Sequence, residues 1–360
     1  MSAPDQTLPA GVANVVGLGL IGGSIAYALT ARGWTVHGVD IDTTTVDRAL
    51  ALGAISASGL SHHAELTFIA VPVDQAAEAV EHALTHTDGP VTDVGSVKSP
   101  LCSRFSDPRF VGGHPMAGSE LDGLDGADGG MFDTAIWVLT PSTATDDAVL
   151  STVAGVIRSL GAEVVALDPS SHDRLVAVVS HVPHLTAATL MGLAVERSEE
   201  HAALLRLAAG GFRDMTRIAS GSPGIWIDIC RQNRHAICEA LEELESALSG
   251  IREIIESGDD AALYERLSAA RSARANLPSR VADPAALAEI RIAIPDRTGA
   301  AAEIFTLAAE LGVNIANFEV VHSAEGARGV AVVLVDTSAV DLYRGGLVAR
   351  GFRPSVHQLS

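Results

Sequence analysis

The stretch Gly17-Leu18-Gly19-Leu20-Ile21-Gly22 lies between the short apolar run Val12–Val16 and a helical segment that stops at Gly33. A second predicted strand, residues 34–39, ends at Asp40. Glycines at this spacing between a strand and a helix, with an acid at the end of the next strand, are typical of dinucleotide-binding units. The stretch therefore predicts a Rossmann-type unit at the start of the chain.

The glycines of this stretch have separate predicted tasks. Gly17 permits the tight turn, Gly19 lets the backbone approach a pyrophosphate, and Gly22 allows the helix to pack closely on the strand. Asp40 is expected to accept hydrogen bonds from the ribose hydroxyls, and no Arg or Lys follows it before Arg48. A 2′-phosphate would meet a carboxylate and no countercharge, which favours NAD over NADP as the cofactor.

Strands and helices continue to alternate, with further predicted strands at residues 66–71, 90–94, 135–141 and 162–167. Helices between strands predict an α/β fold with a doubly wound parallel sheet, whose ligands bind at the carboxyl ends of the strands. Val71-Pro72, Gly95-Ser96 and the segment around His114 fall at such ends. The residues predicted to bind the cofactor are Gly17, Leu18, Gly19, Leu20, Ile21, Gly22, Asp40, Val71 and Pro72.

The segment Gly112-Gly113-His114-Pro115-Met116-Ala117-Gly118-Ser119-Glu120 places an imidazole and a carboxylate six residues apart in a predicted glycine-rich loop. A loop histidine satisfied by the backbone is the simpler interpretation of His114 alone. The adjoining nucleotide-binding unit favours the other interpretation, in which His114 is the catalytic group. Ser96 fits a helix cap and a site residue equally well, whereas Lys98 is interpreted as a helix-start residue.

From residue 170 onward the sequence changes to long helical periodicity. Ser180-His181-Val182-Pro183-His184 is predicted to lead into a helix, and residues 210–219 are predicted to form a loop. Apolar residues at helical spacing between Ile229 and Ile255 predict one helix of some 30 residues. Such a helix needs an apolar partner surface, so we predict an intertwined homodimer.

The formal net charge is −20, which argues against a nucleic-acid partner because phosphate binding needs clustered Lys and Arg. An acidic substrate must therefore be bound by a local basic site. Arg213 and Arg217, four residues apart, are the candidates for it. His181 and His184 could form a metal pair, but Pro183 separates them and no third ligand lies nearby, so we predict substrate contact and no metal.

No apolar run reaches the roughly 18 residues that a membrane span needs, and residues 1–10 show no signal-peptide pattern. Cys102, Cys230 and Cys238 form no disulfide framework. These features predict a cytoplasmic protein with no membrane partner.

A segment rich in Ser, Arg and Ala, Ser268 to Pro284, is predicted to be a linker before a third unit. Strands and helices in the order β-α-β-β-α-β then predict a ferredoxin-like topology in about 70 residues. We predict three domains: a nucleotide-binding domain at 1–169, an all-helical substrate and dimerisation domain at 170–284, and a regulatory domain at 285–360.

Five stretches together resemble the prephenate/arogenate dehydrogenases of tyrosine biosynthesis, in the family's order and spacing over roughly residues 12 to 280. The stretches are Gly17-Leu18-Gly19-Leu20-Ile21-Gly22, Asp93-Val94-Gly95-Ser96-Val97-Lys98, Gly113-His114-Pro115-Met116-Ala117-Gly118-Ser119-Glu120, Ser180-His181-Val182-Pro183-His184 and Asp214-Met215-Thr216-Arg217-Ile218-Ala219. The tail, with Pro295-Asp296-Arg297-Thr298-Gly299 and Gly312-Val313-Asn314-Ile315, resembles an ACT domain, a module that often binds amino acids and regulates enzymes.

The resemblance implies NAD-dependent oxidative decarboxylation of prephenate to 4-hydroxyphenylpyruvate. By this resemblance His114 takes the proton of the ring C4 hydroxyl, while Ser96 holds that hydroxyl or orients the imidazole. Arg217 pairs with a substrate carboxylate, His184 contacts the substrate, and Glu120 shapes the electrostatics of the site. For the ACT-like tail, it implies a regulatory amino acid such as L-tyrosine near Gly299 and Asn314.

Other classes of protein stay open at this point. Arogenate in place of prephenate is one alternative, because no residue settles the choice. Another NAD(P)-dependent hydroxyacid dehydrogenase or imine reductase would be expected to carry a Lys on the long helix, yet no Lys follows Lys98. The non-enzyme alternative is a regulator that senses NAD and an amino acid, and the simplest alternative for the tail is a dimerisation module without a ligand.

Overall fold

The computed structural model describes residues 11–119, 121–200, 204–275, 287–295, 299–322 and 328–358. The chain forms two compact units. The first comprises Met1–Glu200 and Met215–Gly250, and the second comprises His201–Asp214 and Ile251–Ser360.

An eight-stranded sheet forms the centre of the first unit. Its strands are β1 (Val12–Val16), β2 (Thr35–Val39), β3 (Ala57–Ser58), β4 (Leu66–Ile69), β5 (Val91–Asp93), β6 (Phe110–Pro115), β7 (Ile136–Thr140) and β8 (Glu163–Ala166). The helices that connect them are α1 (Leu20–Thr30), α2 (Thr43–Ala51), α3 (Ala76–His86), α4 (Ser99–Cys102) and α5 (Asp147–Ser159).

The strand order is β3-β2-β1-β4-β5-β6-β7-β8. Its first six positions follow the order 3-2-1-4-5-6 of dinucleotide-binding folds, with the crevice for a ligand where the order reverses, between β1 and β4. Both neighbours of β1 are parallel to it, and Val16 pairs with Val39 on one side and Ile69 on the other. The prediction of a Rossmann-type sheet is therefore confirmed.

The last two strands depart from the predicted parallel arrangement. β7 pairs antiparallel with β6, and β8 then pairs parallel with β7. A parallel pair needs a long crossover, usually a helix. Among the described residues between β6 and β7, the longest helical element is the short 3-10 turn Leu124–Gly126, so the chain returns in the opposite direction. Helix α5 supplies the crossover between β7 and β8.

His114 lies within strand β6, not in the loop that the sequence predicted. It pairs with Val138 of β7, and the next residue, Pro115, pairs with Trp137. The glycines before it permit this close packing, since a Cβ on Gly112 would lie 2.4 Å from the Thr140 hydroxyl oxygen. The strand therefore continues through His114 because β7 covers it.

The helical part of the first unit begins with one long, composite segment. It consists of α6 (Pro169–Val176), a π-helical stretch at Ala177–His181 and α7 (Val182–Glu200). The sequence predicted that a helix would start only after His184. The π stretch changes the hydrogen-bond spacing just before Pro183, which lacks the N–H that an α-helix requires, and the helix continues through this point.

By length and composition alone, the described helical segment Pro169–Arg197 could cross a membrane. The expectation that no stretch is long enough is therefore wrong, since residues 175–195 contain no Asp, Glu, Lys or Arg. Core helices of soluble proteins meet the same criterion. Within this segment His172, Asp173 and His181 are buried, and their side chains form hydrogen bonds within the first unit.

Two further predictions for the helical region are wrong. The predicted loop at 210–219 contains helix α8 (Gly210–Thr216) and a 3-10 turn, Arg217–Ser220. The predicted helix of some 30 residues is divided at Asn233 into α9 (Pro223–Gln232) and α10 (Arg234–Ser257). The break has a physical cause, because the buried Asn233 side chain donates a hydrogen bond to the Asp173 carbonyl oxygen at 2.8 Å, a contact that holds it away from a continuous helix.

The second unit contains α11 (Asp260–Ala275), so the first part of the predicted linker is helical, and the rest of the linker, residues 276–284, lies outside the described residues. Its sheet comprises β9 (Leu287–Pro295), β10 (Ile315–His322), β11 (Arg328–Asp336) and β12 (Pro354–Gln358), with helices α12 (Ala300–Leu311) and α13 (Val340–Ala349).

The sheet of the second unit is antiparallel throughout, in the order β10-β11-β9-β12. This element order confirms the predicted β-α-β-β-α-β topology. Alternate residues of β9, namely Ile290, Ile292 and Ile294, are buried under the helices. The Tyr343 hydroxyl in α13 donates to the carbonyl oxygen of Ile304 in α12 at 2.9 Å, which ties the two helices together.

Candidate functional site

The carboxyl ends of β1, β2 and β4 meet at the glycine-rich turn. The Gly17 N–H donates to the carbonyl oxygen of Val39 at 2.7 Å. The next N–H, of Leu18, donates to the Asp40 carboxylate at 2.7 Å. Asp40 therefore braces the turn, and it faces a cavity of about 220 Å³ whose lining also includes Thr43.

The three glycines of the turn differ in the space around them. A Cβ on Gly17 would lie 2.4 Å from the Ala70 carbonyl oxygen, and one on Gly22 would lie 1.8 Å from the Gly17 carbonyl oxygen. A Cβ on Gly19 would meet nothing within 4 Å. Gly19 also precedes the first turn of α1 and supplies no side-chain cap, so the amino terminus of α1 is open to an anionic group.

The remaining predicted cofactor residues surround this turn. Leu20 and Ile21 form the first turn of α1, and Val71 packs beside Gly17 at the end of β4, with the exposed Pro72 after it. Arg48, the first basic residue after Asp40, forms an ion pair with Asp125. These residues fit a dinucleotide with free ribose hydroxyls better than one with a 2′-phosphate.

A buried ion pair lies at the end of β5. The Lys98 ammonium group is completely buried, and it contacts the Asp93 carboxylate and donates to the Gly113 carbonyl oxygen at 2.7 Å. Asp93 in turn accepts from the N–H groups of Gly95 at 2.9 Å and Gly113 at 3.1 Å. The interpretation of Lys98 as only a helix-start residue is therefore incomplete, although it does precede α4.

This ion pair ties two predicted catalytic residues to one carboxylate. Ser96 and His114 each follow directly on a glycine whose N–H donates to Asp93. Ser96 is half-buried, and His114 is 9% exposed. A Cβ on Gly113 would lie 2.6 Å from the Asp93 carbonyl oxygen, so glycine is required where β6 approaches β5.

His114 is the first member of a chain of buried polar groups. Its Nδ1 lies 2.8 Å from Nε2 of His172, and Nδ1 of His172 lies 2.8 Å from the Asp173 carboxylate. That carboxylate also accepts from the backbone N–H groups of Lys98 and Ser99, both at 2.8 Å. The amino terminus of α4 therefore anchors the far end of the chain.

Burial is the main cause of the altered ionisation at this site. Burial, and then the neighbouring His172, Lys98 and His181, hold the pKa of His114 well below its ordinary value of 6.5. Burial likewise lowers the pKa of His181 to about 4. Burial would raise the pKa of Asp173, but hydrogen bonds from His172, Ser99 and Lys98 outweigh it and leave that pKa below its ordinary value. His114 is thus held neutral close to a carboxylate that stays ionised.

The two other predicted histidines of the helical segment have different partners. His181 lies 3.2 Å from the Asn233 amide nitrogen. His184 stacks face to face on Trp226, with ring centroids 3.5 Å apart, and burial lowers its pKa. The 3-10 turn that starts at Arg217 packs against α7, the helix that carries His184. Arg217 itself is exposed.

The remaining predicted site residues lie in the second compact unit or outside the described residues. Arg213 belongs to the second compact unit, where its guanidinium donates to the Ala208 carbonyl oxygen at 3.2 Å. Glu120 lies outside the described residues. Gly299, with a φ of +87°, precedes α12, and the exposed Asn314 precedes β10.

Among the described ranges, one group of side chains has its ligand atoms close enough to hold a metal ion: His62, His63 and Asp88. All three are exposed, and both imidazoles already lie within 3.0 Å of one Asp88 oxygen. They precede β4 and β5 and so lie at the amino ends of the strands, opposite the end where His114 lies.

Four members of the buried network around His114 were missed from the sequence: Asp93, Lys98 as its partner, His172 and Asp173. One signal was available for Lys98, which is the only lysine of the chain. For Asp173 the signal was helical spacing: His181 follows it by eight residues, about two turns, so a continuous helix places both on the same face. The prediction that the helix begins only after His184 concealed this relation.

Together, the fold and site define an NAD-dependent dehydrogenase, with a dinucleotide cradle at the carboxyl end of the sheet and a buried neutral histidine nearby. The sequence pattern described as "Prephenate dehydrogenase, nucleotide-binding domain" matches residues 25–166, and "Prephenate dehydrogenase, dimerization domain" matches residues 168–269. The chain belongs to the prephenate dehydrogenase family.

Similar proteins support this assignment over most of the chain. Prephenate dehydrogenase of Bacillus subtilis is 34% identical over 342 residues, which is 88% of this chain and 90% of that protein. The crystal structure of prephenate dehydrogenase from Aquifex aeolicus with hydroxyphenyl propionate and NAD+ has a TM-score of 0.70 at 30% identity, covering 75% of this chain and 99% of that one. Synechocystis arogenate dehydrogenase has a TM-score of 0.65 at 30% identity and covers 73% and 98%.

The buried ion pair generates a prediction for stability. Lys98→Met leaves the Asp93 carboxylate buried without its countercharge, so we expect the free energy of unfolding to fall by about 3–5 kcal/mol. Urea denaturation followed by circular dichroism measures this change. Arg104→Met is the matched control, because Arg104 pairs with Glu81 at the surface, where such a pair contributes about 0–1 kcal/mol. Equal effects of the two substitutions would contradict the assigned role of Lys98.

Proposed function

We propose that this protein catalyses the NAD-dependent oxidative decarboxylation of prephenate to 4-hydroxyphenylpyruvate, CO₂ and NADH in L-tyrosine biosynthesis, and that it does so in the cytoplasm. The observation that carries the proposal is the state of His114. Its imidazole is buried, neutral and held in a hydrogen-bonded chain at the carboxyl end of the sheet. The same end carries the dinucleotide cradle around Gly19.

In this proposal His114 is the general base. The C4 hydroxyl of the ring gives its proton to the imidazole, and Ser96 holds that hydroxyl or orients the ring. The residues of the glycine cradle would hold NAD, which would supply the hydride acceptor for ring carbon C4. Loss of CO₂ then makes the ring aromatic, so the protein has little to supply beyond positioning and removal of one proton.

The acidic substrate requires local positive charge, because the chain carries a formal net charge of −20. We assign Arg217 to a substrate carboxylate, since a guanidinium can bind it through two parallel hydrogen bonds. His184, on the helix that the turn of Arg217 packs against, is assigned to substrate contact. Arg213 and Glu120 are retained as further substrate residues on the basis of the family resemblance.

Prephenate is favoured as the substrate by the Bacillus subtilis relative, which aligns over 88% of this chain. Arogenate is the alternative, and the Synechocystis arogenate dehydrogenase is as similar in identity as the Aquifex prephenate dehydrogenase. The two acids differ only in an amine in place of the side-chain keto group. An assay must compare them directly.

A regulatory role is proposed for residues 285–360 as an ACT domain. Its support is the β-α-β-β-α-β element order and the antiparallel sheet β10-β11-β9-β12. L-Tyrosine is the proposed effector, bound near Gly299 and Asn314. Residues 1–169 and 170–284 are the other two proposed domains, for the cofactor and for substrate and dimer contacts.

The test of the activity is NADH formation by the purified full chain with NAD, comparing prephenate with L-arogenate. We expect turnover with prephenate, and suppression by L-tyrosine but not by L-phenylalanine. Turnover with arogenate alone would transfer the proposal to that substrate. If protein that still binds NAD turns over neither acid, the regulator or another class of dehydrogenase is favoured. If L-tyrosine does not change the activity, residues 285–360 are better interpreted as a dimerisation module without a ligand.

Kinetics of variants separate the proposed roles of His114 and Arg217. His114→Asn removes the base, so kcat should fall roughly 10²–10⁴-fold. Arg217→Ala removes a charged hydrogen-bonding partner of the substrate, so KM should rise roughly 10-fold or more. Near-normal turnover of the first variant, or an unchanged KM of the second, would contradict the respective assignment.

The lowered pKa of His114 sets the pH dependence of the activity. The base must be neutral, and a histidine with a lowered pKa stays neutral to a lower pH than an ordinary one. We therefore expect kcat/KM to stay level with respect to this group from about pH 8 down to about 6.5, and to fall only at lower pH. A loss of activity centred above pH 7 would contradict the role of a buried neutral His114.

We also propose a homodimer formed through the helical region. Ile225 and Ile227 of α9 are more than half exposed, and an apolar groove beside them includes Leu185, Ile237 and Leu241. A second copy of the chain is the proposed occupant, in keeping with the dimerization-domain match at residues 168–269.

Sedimentation velocity tests the homodimer. The wild-type chain should sediment as a dimer, and Ile227→Asp should shift it toward the monomer because a charge would be buried in the groove. Leu52→Asp is the control, since Leu52 is exposed to a similar extent and lies at the end of α2, outside the helical region. A wild-type monomer at micromolar concentration would refute this part of the proposal.

A further inference from the structure

We propose that His172, held by Asp173, is a positioning residue that fixes the tautomer of His114 and leaves its Nε2 as the basic nitrogen. The inference rests on the proposed function, because it specifies how the base of that reaction is prepared. Its starting point is the chain His114–His172–Asp173, in which both contacts between side chains measure 2.8 Å.

The direction of the hydrogen bonds follows from the last member of the chain. An ionised carboxylate only accepts hydrogen bonds, so Nδ1 of His172 must carry a proton and donate it to Asp173. The proposal includes a neutral His172, whose other nitrogen is then an acceptor. Nε2 of His172 therefore accepts, and Nδ1 of His114 must donate. The second nitrogen of His114, Nε2, is left with its lone pair free for a substrate proton.

Asp173 is itself held in place, which makes the direction of the chain stable. Its two oxygens accept the backbone N–H groups of Lys98 and Ser99 at the start of α4. Its backbone carbonyl accepts from the Asn233 side chain at 2.8 Å. These bonds favour the carboxylate over the protonated acid, so the acceptor at the end of the chain is permanent.

The chain from His114 to Asp173 also stabilises the positive charge that His114 acquires when it takes a proton. Burial and the nearby Lys98 and His181 oppose the protonation of His114, and His172 would add to them only as a cation, which the proposal excludes. When His114 takes a proton on Nε2, the bond from its Nδ1 to His172 becomes charge-assisted and stronger. Asp173 stabilises the resulting imidazolium through His172 without having to accept the proton, as a carboxylate does behind the histidine of a hydrolase triad.

The position of His172 separates it from substrate binding. Its side chain is completely buried, on the side of His114 where Nδ1 points. A substrate proton must arrive at the other nitrogen. Loss of His172 should therefore lower kcat while KM changes little, which distinguishes a positioning role from a binding role.

Two substitutions at this position each remove one link of the chain. In His172→Asn the amide nitrogen takes the place of Nδ1 and keeps the bond to Asp173, but the side chain ends short of His114. In His172→Gln the amide oxygen can reach His114 Nδ1 as an acceptor. We expect kcat to fall roughly 10²–10³-fold in the Asn variant, and the Gln variant to recover at least about a tenth of the wild-type kcat.

His63→Asn is the matched control, because His63 is an exposed histidine at the opposite end of the sheet, and its kcat should equal that of the wild type. Asp173→Asn is not an equivalent test. Whichever way its amide is turned, the NH₂ group faces the backbone N–H of Lys98 or Ser99, so that variant would be destabilised at the start of α4.

Nitrogen-15 NMR of histidine-labelled full chain reads the tautomer without any turnover. In the wild type, Nδ1 of His114 should carry the proton and Nε2 should not, with the signals assigned by their loss in His114→Asn. In His172→Asn the preference should weaken toward a mixture of tautomers. A protonated Nε2 in the neutral wild-type ring would overturn the proposal, as would an Asn variant with normal kcat.

The outcomes separate this inference from the proposed function. A wild-type protein without dehydrogenase activity would refute the function, whereas the NMR signals would still decide the tautomer. If His172→Asn fails to fold, the wild-type spectrum and the kcat of His172→Gln still test whether His172 fixes the tautomer of His114. A Gln variant no more active than His114→Asn would contradict the role of an acceptor at this position.

Discussion

The buried contact between the only lysine of the chain and Asp93 is the interaction on which the site depends. A charge removed from water must be paired and hydrogen-bonded, or the structure loses several kcal/mol. Asp93 meets this condition with Lys98 and two backbone N–H groups, and Lys98 also holds the Gly113 carbonyl. These two N–H groups belong to Gly95 and Gly113, the residues just before Ser96 and His114. The hydrogen bonds to the Asp93 carboxylate therefore also fix the backbone near the ends of β5 and β6.

A second buried carboxylate, that of Asp173, lies at the start of α4. Asp173 accepts from the first N–H groups of that helix and from His172. Lys98 thus contacts two buried acids, Asp93 through its ammonium group and Asp173 through its backbone N–H. Burial has two consequences for His114: it removes water that would compete for the ring, and it lowers the pKa so that the ring is neutral. A base that is weakened by burial needs its cation stabilised from within, and Asp173 is the charge that can do so.

Much of the fold could be predicted from local pattern. The glycine spacing after β1, the acid at the end of β2 and the alternation of strands and helices are short-range features, and each has a steric or hydrogen-bonding cause that acts within one turn or strand. The same applies to β9, where alternate isoleucines face the core. Within the candidate site, the glycine turn at Gly17 and Gly19 and the place of Asp40 beside it follow from these features. Predictions failed where a distant element decides the local structure: β7 extends β6 through His114, and Asn233 interrupts the long helix because its side chain binds Asp173.

The sequence by itself determined the Rossmann-type unit, the element order of the second unit and the family to which the chain belongs, because these follow from periodicity and from motifs of a few residues. Only the tertiary structure decided the direction of β7 and β8 and the partners of Lys98. It also decided the chain from His114 to Asp173, whose first two members lie 58 residues apart. The physical reason is that a hydrogen bond forms between groups that packing brings within about 3 Å. The spacing of residues along the chain does not show which side chains come into contact when a helix packs on a sheet and buries charged groups.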